Sequence, residues 1–108
     1  MTLNEYQQAA IATAIYPKDK AIVYPTLGLA GETGEVAEKV KKTIRDNGGI
    51  FDEERRRAIA LELGDVLWYA AALANDLGMT LDDVAGMNVE KLRSRNSRQK
   101  LHGEGDNR

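Results

Sequence analysis

Apolar positions along this chain recur at helical spacing rather than in strand alternation. At about 100° per residue, Leu29, Thr33, Val36, Val40 and Ile44 fall on one side of a helix. Ile59, Leu63, Val66, Ala70, Leu73 and Leu77 form a second such stripe. The punctuation between the stripes predicts an all-α, four-helix, bundle-like fold. The first helix starts at Thr2, where Thr2-x-x-Glu5 reads as a capping box, and runs to about Ile15. Tyr16 to Pro25, with a proline near each end, reads as a loop or extended arm. The second helix runs from about Thr26 to Asp46 and stops at Asn47-Gly48-Gly49. The third starts after Asp52 and ends at Gly78, and the fourth opens at Thr80 and continues to about Arg95. The chain is one domain, 1–108, with a core of about 26–96 and a polar, glycine-rich tail over 97–108.

The acids are placed against this pattern with unusual regularity. Glu32-x-x-Glu35 and Glu62-x-x-Asp65 stand at equal distances from Gly48-Gly49, roughly 22 Å on either side at 1.5 Å per residue. An antiparallel hairpin folded at those glycines brings both pairs to the same height. The i,i+3 spacing keeps both members of each pair on one face, bordering the apolar stripe. Tyr69 stacks above Glu62 and Asp65, and Lys39 and Lys42 lie on the same side as Glu32 and Glu35. Helix three also carries a second apolar side with Leu61 and Trp68, more than one neighbour can cover. That predicts a homo-oligomer, with Trp68 at or near the interface or under the first helix. Gly28, Gly31 and Gly34 recur inside helix two, each costing about 1 kcal/mol relative to alanine. Tight helix packing and access for a bulky ligand are equal explanations for them.

Composition narrows the function classes. Of 108 residues 43% are apolar and 30% charged, the balance of a folded soluble domain. The net charge of −2 gives no affinity for nucleic acid or an anionic membrane. There is no cysteine, which removes thiolate metal sites and fits a reducing compartment. The apolar run Ala9 to Ile15 has no basic segment before it, and no transmembrane-length stretch is expected, so the chain reads as cytoplasmic.

Carboxylates this close repel by roughly 3 kcal/mol per pair at 6 Å and an effective dielectric near 20, unless a cation or proton intervenes. An oxygen-only ligand set selects a hard ion, Mg²⁺ or Mn²⁺, sometimes Ca²⁺. Mg²⁺ shares its coordination sphere with phosphates, which points to a phosphate ester or anhydride as substrate. A ferritin-like di-iron site would need Glu-x-x-His pairs, and the one histidine, His102, is in the tail. On helix four, Asn88, Lys91, Arg95 and Arg98 share a face beside Leu81, Ala85, Val89 and Leu92, a basic stripe suited to clamping phosphates. Arg55, Arg56 and Arg57 point in three directions and read as surface.

These residues carry a family resemblance. The run Gly28-Leu29-Ala30-Gly31-Glu32-Thr33-Gly34-Glu35-Val36 resembles the first motif of MazG-like nucleoside triphosphate pyrophosphohydrolases. Glu62-Leu63-Gly64-Asp65-Val66-Leu67-Trp68-Tyr69 is similar to their second, and Asn88 to Arg95 to their third. The resemblance implies a dimeric or tetrameric all-α hydrolase that uses Mg²⁺ to convert a (d)NTP to (d)NMP and pyrophosphate. By motif position, Glu32, Glu35, Glu62 and Asp65 would ligate the metal. Lys91 and Arg95 would hold phosphates, and Tyr69 and Asn88 would line the nucleotide site. Lys39 and Lys42 are further candidate substrate contacts. Water would attack the α-phosphorus in line, oriented or deprotonated by Glu35 or Glu32, with Glu38 a weaker candidate. Many members carry another acid where this chain has Gly31. Phosphoribosyl-ATP pyrophosphohydrolase, a distant relative, and a non-catalytic helical partner-binding module are the competing readings.

Overall fold

The computed structural model describes residues 1–99 and 102–107; Lys100, Leu101 and Arg108 of the expected tail lie outside them. Among the described residues there are four α-helices and no strand: α1 (Leu3–Ile11), α2 (Val23–Asp46), α3 (Glu53–Asp76) and α4 (Leu81–Ser97). A short 3₁₀ turn, Lys18–Lys20, follows α1. Thr2 and Thr80 close capping boxes with Glu5 and Asp83, and Asp52 caps α3 through the Arg55 N–H. Each pairs an orphan first-turn donor with a side-chain oxygen.

The start of α2 differs from expectation. It begins three residues earlier than read, with Pro25 in the first turn, where a missing N–H costs no helical bond. Ile22 precedes it at φ 70°, and the Val23 N–H donates to Ala21 O at 2.8 Å, a γ-turn that an isoleucine adopts only under constraint. Asp76 supplies the constraint, accepting from the Ile22 N–H at 2.9 Å and the Tyr16 hydroxyl at 2.8 Å. Burial and that carboxylate push the Tyr16 phenol up to about 12. Helix α1 stops at Ile11 rather than about Ile15. Thr13 turns its hydroxyl back to Ala10 O at 2.7 Å and accepts from Trp68 Nε1 at 2.8 Å, so the chain bends where Trp68 needs a partner.

The hairpin of α2 and α3 forms the main contact, and α1 lies across α3 and the start of α4. Gln7 joins three helices. Its amide donates to Ala71 O and Met79 O at 3.2 and 3.1 Å, and its carbonyl accepts from Leu81 N at 3.0 Å. Around it sit Ala10, Ala71, Ala74 and Leu81, with Tyr6 and Trp68 packed on them. Trp68 therefore lies under the first helix, one of the two places expected for it.

The inward face of α2 is rotated from the expected stripe. Thr33 and Ile44 are exposed, while Pro25, Glu32, Val36 and Thr43 turn toward α3. On α3, Leu63 and Leu77 are also exposed, at 57% and 50%. The cause is a two-faced hairpin: each helix spends one face on the other and leaves a second apolar face outward. Val89 and Leu92 of the stripe on α4 are exposed too. The chain exposes 7921 Å², against about 6,000 Å² for a compact monomer of this mass. Its radius of gyration is 16.6 Å, against about 13 Å for a compact domain of this length. Contrary to the expectation of no membrane-length stretch, α3 is long and apolar enough to cross a membrane by length and composition. Glu62 and Asp65 lie in that stretch, each costing about 3 kcal/mol in mid-bilayer if charged.

The glycines divide. A Cβ on Gly28 would collide with the Tyr69 ring, so close packing explains that one. Gly31 and Gly34 face open space. Replacing Gly28 by alanine is therefore expected to cost about 1–3 kcal/mol, whereas alanine at Gly31 or Gly34 is expected to gain up to about 1 kcal/mol each. Urea unfolding of the three variants checks this ordering.

Candidate metal centre

Helix α2 delivers Glu32 to the seam and α3 delivers Glu62 and Asp65. One carboxylate oxygen from each lies within 4.8 Å of the other two. Glu32 and Glu62 are partly buried and Asp65 is exposed. Opposite oxygens around Mg²⁺ stand about 4.2 Å apart, given Mg–O distances of 2.0–2.1 Å. Small side-chain rotations would close this group on such an ion, and the all-oxygen donor set suits it. Loss of hydration, followed by the charges of Asp65, Glu62 and Glu35, raises the pKa of the Glu32 carboxyl. Glu35, one turn further toward the bend, acts on Glu32 by its charge but is not a member of the group of three.

Aromatic side chains wall the acids. A cleft of about 380 Å³ is lined by Glu32, Asp65, Thr13, Trp68 and Tyr69. Trp68 and Tyr69 meet edge to face at 4.9 Å, Tyr16 meets Trp68 at 6.4 Å, and Tyr16 stacks on Tyr24 at 4.9 Å. Burial raises the Tyr69 phenol first, then its neighbours Tyr24 and Glu32. Burial and Asp65 likewise raise Tyr6. Of this wall only Tyr69 and Trp68 carried a sequence signal. Thr13 and Tyr16 arrive through the segment after α1 and Tyr24 from the first turn of α2, and no motif in the sequence marks them as partners of the acids. A larger cleft of about 520 Å³ near Gln7, Gly78 and Thr80 holds no ionisable side chain and offers no comparable chemistry.

The expected cations are elsewhere. Lys39 and Lys42 line a separate cleft with Glu54 and Arg55, two to three turns nearer the bend, so they do not face the acids. Asn88 and Lys91 border an apolar cleft with Leu77, Met79, Val84 and Met87. Lys91 and Arg95 pair with Asp106 of the tail at 3.1 and 3.5 Å. The exposed basic stripe expected on α4 is thus folded over at Arg95, which is 5% exposed. Among the described residues no ion pair joins these cations to Glu32, Glu62 or Asp65.

The all-α chain thus carries, at a helix seam, a carboxylate trio with the donor set of a hard divalent ion. The sequence matches the MazG nucleotide pyrophosphohydrolase domain over residues 25–99, and the chain belongs to that family. It is 46% identical over 114 residues to the Gene 37 protein of Mycobacterium phage L5, an alignment spanning all of both chains. No solved structure matches it.

The raised pKa has a testable sign. The fold favours protonated Glu32, so this side chain's contribution is most favourable below the ordinary carboxyl range and is lost as pH rises through its folded value. In the absence of divalent ions at neutral pH, Glu32→Gln is expected to melt higher than the unsubstituted protein. That advantage should close below about pH 4, and saturating Mg²⁺ should reverse it by stabilising only the unsubstituted protein. Thermal melts across pH, with and without Mg²⁺, read all three effects.

Proposed function

We propose that this protein is a Mg²⁺-dependent nucleoside triphosphate pyrophosphohydrolase that converts a (d)NTP to (d)NMP and pyrophosphate, with nucleotide-pool housecleaning in the cytoplasm as its role. The observation that carries this reading is the convergence of Glu32, Glu62 and Asp65 inside the matched domain. These three would hold Mg²⁺, or Mn²⁺ in its place. A bound divalent ion supplies neutralisation of phosphate charge and a more acidic water. Glu35, beside the trio but outside it, orients the attacking water and accepts its proton. Tyr69 and the aromatic wall exclude bulk water from one side of the reacting group. Lys91 and Arg95 hold the departing pyrophosphate, and Asn88 lines the nucleotide site.

For those cations to serve the acids, a second copy supplies them. The outward apolar face of α3, with Ala60, Leu63, Gly64 and Leu67, lines a cleft of about 470 Å³. Together with exposed Val84 and Met87 on α4 it forms the surface for a homodimer, or a homotetramer built from such dimers. The excess exposed area, about 2,000 Å² per chain and so about 4,000 Å² for a pair, falls in the range buried by obligate homodimers. Light scattering is expected to give at least a dimer at micromolar concentration; a monodisperse monomer would contradict this arrangement.

A panel of common and modified (d)NTPs, assayed with Mg²⁺ for pyrophosphate release, tests the activity. Glu62→Gln and Asp65→Asn are each expected to lower kcat/KM at least about 100-fold, since even groups that only support metal ligands cost 10–100-fold. Undiminished release in both variants would refute the role given to the acids.

A further inference from the structure

The tail returns to α4 and ends on the cations that the proposed function assigns to phosphate. Arg95 Nη2 donates to the main-chain carbonyls of Asp106 and Gly105 at 2.9 and 3.4 Å. One carboxylate oxygen of Asp106 accepts from Lys91 Nζ at 3.1 Å and lies 3.5 Å from Arg95 Nη2. Two cations one helical turn apart are thereby drawn to a single point. The Lys91 hydrogen bond, then its charge, holds the Asp106 carboxyl below the usual range, so it is ionised at neutral pH.

The chemistry of this knot leaves it unsaturated. One carboxylate against two cations leaves a net positive charge. The principal acceptors for Arg95 are neutral carbonyls, which fix the guanidinium without cancelling it. Arg95 is 5% exposed, yet its buried Nε–H has no acceptor among the described residues. A buried donor left unmet is costly and rare in a folded protein. A carboxylate evolved to block the guanidinium would take both its N–H groups in a fork. Asp106 instead touches it through one oxygen at 3.5 Å while its own side chain stays 83% exposed.

We infer that the segment from Gly103 to Asn107 is a built part of the phosphate site, with Asp106 as a positioning residue. It gathers Lys91 and Arg95 and leaves their surplus charge for an oxygen of a di- or triphosphate. This rests on the reading of Lys91 and Arg95 given above. It adds a recognition element that lies outside the matched domain, past residue 99. A prepaid arrangement of the two cations tightens ground state and transition state alike, so its signature is KM rather than kcat.

Calorimetric binding of inorganic pyrophosphate to the full chain, without divalent metal, tests it directly. Asp106→Asn is expected to weaken pyrophosphate binding about tenfold. It should raise KM for the nucleotide by a similar factor with kcat changed less than about twofold. Asp106→Glu should restore part of both, which a merely structural role for the tail would not produce. Unchanged binding in Asp106→Asn would overturn the inference. So would tighter binding, which would make the carboxylate a competitor, or no binding by the unsubstituted chain. Because binding is read without turnover, absent pyrophosphate release in the nucleotide panel would count against the proposed function alone.

Discussion

The register of α2 against α3 is the constraint on which the site depends. It is set by the turn from Asn47 to Asp52. Thr43 O accepts from both the Asn47 and Gly49 N–H groups, at 3.0 and 3.1 Å, and closes α2. Gly48 and Gly49 follow at φ 61° and 74°, a left-handed pair that only glycine adopts cheaply. The Asn47 side chain then reaches Ile50 O and Asp52, and Asp52 caps α3. A slip of one residue would move Glu62 and Asp65 by 1.5 Å along the axis and about 100° around it. The carboxylates would then face solvent separately. A short turn with little freedom of its own therefore decides whether the acids form a cluster.

This part of the design was legible because it is local. The symmetry of the acids about Gly48-Gly49, the caps at Thr2, Asp52 and Thr80, and the ends of α2 and α3 all follow from residues a few positions apart. The face that α2 turns inward was not legible. Leu29 and Val40 lie at the edge of the true contact face, and their stripe continues outward to Thr33 and Ile44. Periodicity finds an apolar side without saying which partner covers it. Long-range polar contacts were equally hidden. Gln7 bonds to positions 64 to 74 residues away, and Asp76 fixes a backbone 54 residues behind it. Neither glutamine nor aspartate advertises such a partner in its neighbours. Gly28 was half legible: its cost announced a close approach, but only the Tyr69 ring tells which of two explanations holds.

The separation of charge within one chain gives the remaining logic. Glu32, Glu62 and Asp65 repel one another at the seam, while Lys91 and Arg95 repel one another on α4. Direct pairing of the two groups would relieve both and would be the obvious electrostatic solution for a protein whose only task was to stay folded. The chain does not take it. The basic pair shares a single carboxylate from its own tail, and the acids keep their mutual repulsion. Ion pairs between the two would have to be broken before a cation and a phosphate chain could enter, and a partly buried pair is costly to break. Holding the two signs apart, each incompletely neutralised, keeps the acids open to a hard cation and the bases open to an anion. Under the proposed function, a ligand that carries both, a divalent ion on a polyphosphate, would relieve the two repulsions at once.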